Sequence, residues 1–229
     1  MRALKEFKNI HKDEDIYVMG AGKSCDYVDN SFFNNKTLIG VNQTYKKIHP
    51  TYLVRKETQL LDKILQDKAL TNVIHFISKG SYGGNNSINL NHIKNNYDHL
   101  YNVVVFNHNF NELKIHILPR ASDTLIVSWT TFTTAMHLAA YMGAKNIILV
   151  GHDCGTLDDE SFFTGYHTKE TISIAWGEHD QEEHYKVWLS KIEKSTKVLK
   201  LLLTEEYRCN ILSLNPFINF GLEGHKYDH

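Results

Sequence analysis

An alternation along the chain narrows the fold more than any other feature. Short apolar runs recur at Ile16–Met19, Thr37–Val41, Thr51–Val54, Asn72–Ile77, Asn102–Phe106, Asp123–Ser128, Asn146–Val150 and Asn210–Leu214. None alternates strictly between apolar and polar residues, as strands buried on both faces of a parallel sheet would not. Helical patterns stand between them. Residues 57–68 place Leu60, Leu61, Ile64 and Leu65 on one face, and 130–144 are small and apolar nearly all round, with Gly143 as a stop. Residues 182–206 form the longest pattern, with Val187, Ile192, Val198 and Leu202 on its apolar face. This βαβα rhythm predicts an α/β chain with a Rossmann-like, doubly wound, mostly parallel sheet. Residues 1–229 read as one nucleotide-binding domain, with a lid-like segment at 152–182 whose aromatics stand among polar residues. Residues 79–99, polar and rich in Gly and Asn, resist this rhythm, and Asn85, Asn86 and the nearby glycines read as a plain surface loop in preference to a donor-side one.

Composition sets limits on partners. The 25 basic and 26 acidic residues give a formal charge of −1, which leaves no basic field for general nucleic-acid binding. Hydrophobic residues make up 42% of the chain, enough for a sizeable core. The three cysteines, Cys25, Cys154 and Cys209, are odd in number and far apart, so neither a disulfide framework nor a zinc ribbon is expected. The charged opening residues lack an apolar core and no run of about 18 apolar residues occurs, so neither a signal peptide nor a transmembrane segment is expected, and the cytoplasm is the expected compartment. The 14 histidines are scattered, without an HExxH or HxH pair.

The first run ends in Gly20-Ala21-Gly22-Lys23-Ser24. A Walker A loop would need glycine at position 17, where Tyr17 stands, and a dinucleotide fingerprint would need it at position 25, where Cys25 stands. What remains is a strand end, two glycines that let backbone approach, and a helix with Ser24 as cap, which suits either an anion or a plain tight turn. Lys23 suits a phosphate contact or a solvated first turn equally. Other runs end in polar sequences expected at the same sheet edge: Asn42-Gln43, Thr130-Thr131 and Gly151-His152-Asp153. Ligands of open α/β sheets bind at such an edge.

"VMGAGKSCDYVD…TLIGVNQTY…PTYLV" resembles the opening of the MptE-like domain, shared by motility-associated-factor glycosyltransferases and an archaeal 6-hydroxymethyl-dihydropterin diphosphokinase. It is also similar to the opening of small bacterial CMP-sialic-acid sialyltransferases, with Gly20, Gly22, Ser24, Asn42 and Gln43 as the matching residues. "TTFTTAMHLAAYMGAKNIILVGHDCG" and "EEYRCNILSLNPFINFG" are further matching blocks. The resemblance implies a GT-A-variant fold and a CMP-linked nucleotide-sugar donor held by Gly20, Gly22, Ser24, Asn42, Thr130 and Thr131, with Lys23, Gln43 and Gly151 beside them. It implies direct displacement with a lid histidine as base, His184 being preferred over His167 and His179. A lid tyrosine, Tyr166 or Tyr185, is implied for the leaving phosphate. No metal is required for such glycosyl transfer. Where the family has glycine after the Thr pair, this chain has Phe132. Asp153 reads as an organiser that hydrogen-bonds loop backbone.

Two other readings stand beside it. A pterin diphosphokinase would use ATP and Mg²⁺, with Asp153, Asp158, Asp159 and Glu160 as candidate carboxylates. A non-catalytic nucleotide-binding protein would keep the fold alone. The acceptor would be a glycan or small molecule, and a homo-oligomer is compatible with this family.

Overall fold

The structure is a computed structural model that describes residues 1–56, 61–79, 90–97, 99–110, 118, 123–166 and 181–214, of which 90–92, 108–110 and 181–188 are described by their backbone alone. Nine strands are found among them: β1 (Arg2–Ala3), β2 (Asp15–Met19), β3 (Thr37–Val41), β4 (Tyr52–Arg55), β5 (Ile74–Ser78), β6 (Val103–Phe110), β7 (Thr124–Val127), β8 (Asn146–Val150) and β9 (Asn210–Ser213). The helices are α1 (Leu61–Leu65), α2 (Leu90–Tyr97), α3 (Thr131–Tyr141) and α4 (Gln181–Tyr207). The strands form one sheet in the order β1-β6-β5-β4-β3-β2-β8-β9, with β7 paired to the far half of β6. Every ladder is parallel. The expected α/β doubly wound architecture is therefore present.

The lack of polar alternation has a direct cause. Along β2, Ile16 and Val18 enter one apolar cluster with Ile39, Val54, Phe76 and Val104. Tyr17 and Met19 enter another with Leu38, Ile148 and Val150. Both faces are covered, so neither set of alternate positions can be polar. Helix α3 covers the first face, and every residue from Thr131 to Tyr141 is buried. Its alanines let the helix axis approach the sheet closely, and Gly143, at φ +93°, lets the chain turn back toward β8.

The structure adds to the sequence pattern in three places. Within the polar stretch 79–99, α2 occupies Leu90–Tyr97, while Asn85, Asn86 and the nearby glycines lie outside the described residues. Arg2–Ala3 pairs with β6, a strand too short to leave a periodic signal. In α4 the buried stripe is Ser195, Thr196, Leu199 and Leu203, while Val198 and Leu202 are only partly buried. Val198 and Leu202 pack on the core from the margin of this stripe, as expected, but the stripe itself is polar in its upper part: Ser195 and Thr196 hydrogen-bond to strand-end groups instead of filling the core.

The crossovers create a crevice. β2 and β8 are neighbours, yet the chain leaves β2 toward β3 and leaves β8 toward β9, on opposite sides. Their carboxyl ends therefore open a gap bridged by neither connection, the usual ligand position in such sheets. Among the described residues no helix is long and apolar enough to cross a membrane.

Buried polar ties hold α3 and α4 to the sheet. His137 of α3 accepts the Ile126 N–H through Nδ1 at 3.0 Å, which leaves the Nε2 proton to face the Tyr207 hydroxyl of α4 at 3.0 Å. Burial drives the His137 pKa down to about 4. The unfolded residue titrates near 6.5, so between these values the unfolded chain binds the extra proton. Stability from this residue is complete above about pH 6.5 and is lost as pH falls toward 4, by up to about 1.4 kcal/mol per pH unit. Urea unfolding between pH 7.5 and 5 should show this fall, and His137→Gln should reduce its slope by about one proton; an unchanged slope contradicts the assignment.

Candidate active site at the β2–β8 crevice

Three glycines bring the two strand-end loops into backbone contact. Gly20 N–H donates to Val150 O at 2.7 Å and Gly22 N–H to Gly151 O at 2.8 Å, carrying the ladder past the strands. A Cβ on Gly20 would lie 2.6 Å from Gly151 O, and one on Gly22 would lie 2.5 Å from the Asp153 carboxylate. Gly151 holds φ +60°, and its Cβ would meet Cys25 Sγ at 2.2 Å. No larger residue fits these positions without moving a loop.

Asp153 then locks the contact. Its carboxylate accepts the Ser24 N–H at 2.8 Å and the Ser24 hydroxyl at 2.5 Å, all of them buried. This corrects the expected capping. Residues Lys23–Tyr27 form a short 3₁₀ helix whose N-cap position is Gly22. Ser24 lies inside it, and the cap comes from Asp153, 129 residues away. A carboxylate thus occupies the place where a free anion was envisaged. Of the five N–H groups from Gly20 to Ser24, those of Gly20, Gly22 and Ser24 are taken. Among the described residues the N–H groups of Ala21 and Lys23 have no acceptor, and both residues are half-buried.

A second tie fastens the segment after β8 over the first loop. Asp26 accepts the Thr164 N–H at 2.9 Å and its hydroxyl at 2.8 Å, and pairs with Lys47 at 3.2 Å and Lys23 at 3.3 Å. Burial opposes ionisation of Asp26, yet these donors outweigh it and hold the pKa at about 2. Phe163 N–H donates to Ala21 O at 2.9 Å, and Lys46 Nζ donates to Tyr166 O at 3.0 Å. The Tyr166 side chain is buried, stacked on Phe162 and edge-on to Phe163.

The other strand ends complete the rim. Asn42 follows β3 with a left-handed φ of +52°, and Gln43 opens the short turn Thr44–Lys46. Thr130 caps α3, its hydroxyl accepting the Phe132 N–H at 3.2 Å, and Thr131 is buried behind it. Between β7 and α3, Trp129 sits at φ +59°, where bulky side chains are rare, in a tight turn closed by Thr130 N–H to Ser128 O at 2.7 Å. Lys191 of α4 lies 4.2 Å above its ring. Phe132 fills the space beside Gly20 and stacks on His152, ring centroids 4.0 Å apart. His152 reaches Thr196 of α4 at 2.8 Å, and burial holds its pKa near about 3, so it is neutral.

The structure therefore brings together Gly20, Gly22, Lys23, Ser24, Gly151 and Asp153, with Asn42, Gln43, Thr130 and Thr131 at the ends of strands in the same sheet. His184 lies in the first turn of α4, and its side chain falls outside the described residues, as does that of Tyr185; His167 and His179 fall wholly outside them. Burial pushes Cys154 up to about 12 and Cys25 further, so neither is a thiolate nucleophile at neutral pH. Among the described residues no three His, Cys, Asp or Glu side chains form a group able to hold a metal ion. Of the carboxylates envisaged for Mg²⁺, Asp153 faces Ser24 and Asp158 faces the Tyr27 hydroxyl. Two residues had no sequence signal. Asp26 is one charge among many in a polar stretch, and Arg55 ends an apolar strand but is only 2% exposed.

Solved structures share this arrangement of strands and helices. The chain aligns with the sialyltransferase CstII from Campylobacter jejuni in complex with the substrate analogue cytidine-5′-monophosphate, with a TM-score of 0.57 and 15% identity over 94% of this chain and 86% of that one. The same enzyme with CMP-3FNeuAc gives 0.53 and 14% over 93% and 85%. The monofunctional alpha-2,3-sialyltransferase Cst-I from Campylobacter jejuni gives 0.55 and 15% over 93% and 79%. The fold is shared with sialyltransferases. No protein-family model and no curated protein matches the sequence, so the resemblance to the MptE-like domain rests on its sequence blocks alone.

The Asp153–Ser24 lock makes a ranked prediction. Asp153→Ala leaves the Ser24 N–H and hydroxyl buried without their acceptor and should cost about 3 kcal/mol in urea unfolding, against about 1 kcal/mol for Ser24→Ala, which keeps the N–H bond. Equal costs would show that the backbone bond carries nothing.

Proposed function

We propose that the chain is a glycosyltransferase that takes a sugar of the sialic-acid type from a CMP-linked donor and places it on a hydroxyl of a glycan or small-molecule acceptor. The observation that carries this reading is the locked crevice between β2 and β8. It lies at the switch point of a fold shared with CMP-bound sialyltransferases, and it leaves the Ala21 and Lys23 N–H groups for a phosphate.

The residues have distinct tasks in this reading. Gly20, Gly22 and Gly151 allow the close backbone approach, and Asp153 keeps the loop in one shape before the donor arrives. Preorganisation of this kind spares the cost of ordering a loop on binding. Lys23, Asn42, Gln43, Thr130 and Thr131 line the nucleotide. Tyr166 anchors the covering segment through its packing on Phe162 and steadies the leaving phosphate from that side. His184, as a neutral imidazole, takes the proton of the acceptor hydroxyl while that oxygen bonds to the anomeric carbon. The bond from that carbon to phosphate breaks, and CMP leaves with the electron pair. This displacement requires no metal ion.

Thermal-shift measurements with CMP, CDP, UDP, ATP and GTP, each with and without Mg²⁺, test the reading. CMP at about one hundred times its Kd should raise Tm by about 5–10 °C without Mg²⁺. Stabilisation by ATP that needs Mg²⁺ would instead favour the diphosphokinase, and no response to any nucleotide would favour a non-catalytic role. His184→Ala should bind CMP as the parent does and lose at least about a hundredfold in turnover. Unchanged turnover would remove His184 from the mechanism.

A further inference from the structure

We propose that Arg55 is a positioning residue of the nucleotide site, acting through Asn42, and that Asn42 receives a hydrogen-bond donor of the nucleoside rather than a phosphate oxygen. The inference rests on the crevice being a nucleotide site, as argued above. β3 and β4 run parallel with Val41 beside Val54, so Asn42, just past the end of β3, and Arg55, the last residue of β4, stand side by side. Asn42 is held from both ends: its N–H donates to Val54 O at 3.1 Å, and its C=O accepts Arg55 Nη1 at 3.0 Å. Its φ of +52° is a conformation that asparagine tolerates better than most residues. Arg55, 2% exposed at the carboxyl ends of the strands, therefore holds the backbone of a left-handed asparagine through its guanidinium.

The Asn42 side chain shows what this arrangement serves. Its Oδ1 is buried and has no hydrogen-bond partner among the described residues. Such an acceptor is costly to leave unmade and is satisfied when a ligand brings an N–H or O–H group to it. A phosphate diester or monoester dianion offers only acceptors. A nucleoside offers ribose hydroxyls and, in cytidine, an exocyclic amine. The Oδ1 thus reads the nucleoside, while the loop at Ala21 and Lys23 faces the phosphate.

A double-mutant cycle read by calorimetric CMP affinity tests the coupling. Arg55→Gln should weaken CMP binding about tenfold when Asn42 is present and less than about twofold in an Asn42→Ala background. Arg55→Lys, which keeps a cationic donor, should recover most of the loss. If Arg55→Gln does not fold, the Arg55→Lys cycle is read alone, with a loss of about threefold that vanishes without Asn42. Equal losses in both backgrounds overturn the positioning role, since a merely structural arginine would act additively. Asn42→Ala should also bring the affinities of CMP, UMP and 2′-deoxy-CMP closer together, and unchanged discrimination among them overturns the nucleoside assignment. If the parent chain responds to another nucleotide of the panel and not to CMP, the donor reading fails while the cycle is still measured with that nucleotide. No binding of any nucleotide overturns both.

Discussion

The structure of the crevice depends on one carboxylate. Asp153 reaches from the end of β8 to the first turn after β2 and takes both polar protons of Ser24. Where the two loops come closest, at Gly20, Gly22 and Gly151, they meet through backbone atoms, and the Asp153 carboxylate adds a side-chain tie there. The bonds are buried, where an unmade donor or acceptor is costly, so the loops are held as a unit. The three glycines and the lock are mutually dependent: a methyl group on Gly22 would occupy the position of the Asp153 carboxylate itself. Asp26 extends the unit by fastening Thr164, and with it the segment that runs to Tyr166.

This arrangement changes how the opening loop is understood as a binding element. A helix start with unoccupied N–H groups attracts an anion through all of them. Here a carboxylate of the protein already occupies the Ser24 position, and the neighbouring loop takes two more N–H groups. The remaining N–H groups, on Ala21 and Lys23, alternate with the engaged ones along the chain. In the proposed reading, recognition of a phosphate at this edge depends on a few fixed donors and not on a basic field, in keeping with a chain of net charge −1. Left-handed backbone also occurs at this edge. Asn42, Trp129 and Cys154 all hold positive φ just beyond strand ends. Conformations of this kind persist where the surroundings over-determine them, as ligand sites do.

The fold was legible where burial imposes a simple pattern. Runs without polar alternation correspond to β2, β3, β4, β5, β6, β7, β8 and β9, because a parallel sheet covered on both faces removes the need for polar positions. The all-apolar pattern at 130–144 corresponds to α3, which is buried along its whole length. Legibility ended where polar groups are buried in pairs. Periodicity cannot show that Ser195 and Thr196 belong to the inner face of α4, since their place follows from Ser128 and His152 and not from hydrophobicity. At the site, sequence reasoning gathered the strand-end residues, because parallel strands present their carboxyl ends together. It assigned the cap to Ser24 itself, because a local motif contains no sign of an acceptor 129 residues away. Arg55 was passed over for the complementary reason: a charge that ends an apolar strand looks solvated until its neighbour is known.

The central claim is that ligand phosphate meets the crevice at the N–H groups the lock leaves over. Amide chemical shifts recorded during a CMP titration test it most directly. The account predicts that the Ala21 and Lys23 amides move most within residues 20–24, with those of Gly22 and Ser24, already bonded to Gly151 and Asp153, moving little. Shifts concentrated away from the β2–β8 edge, or large shifts at Ser24 with Ala21 and Lys23 unchanged, would contradict it.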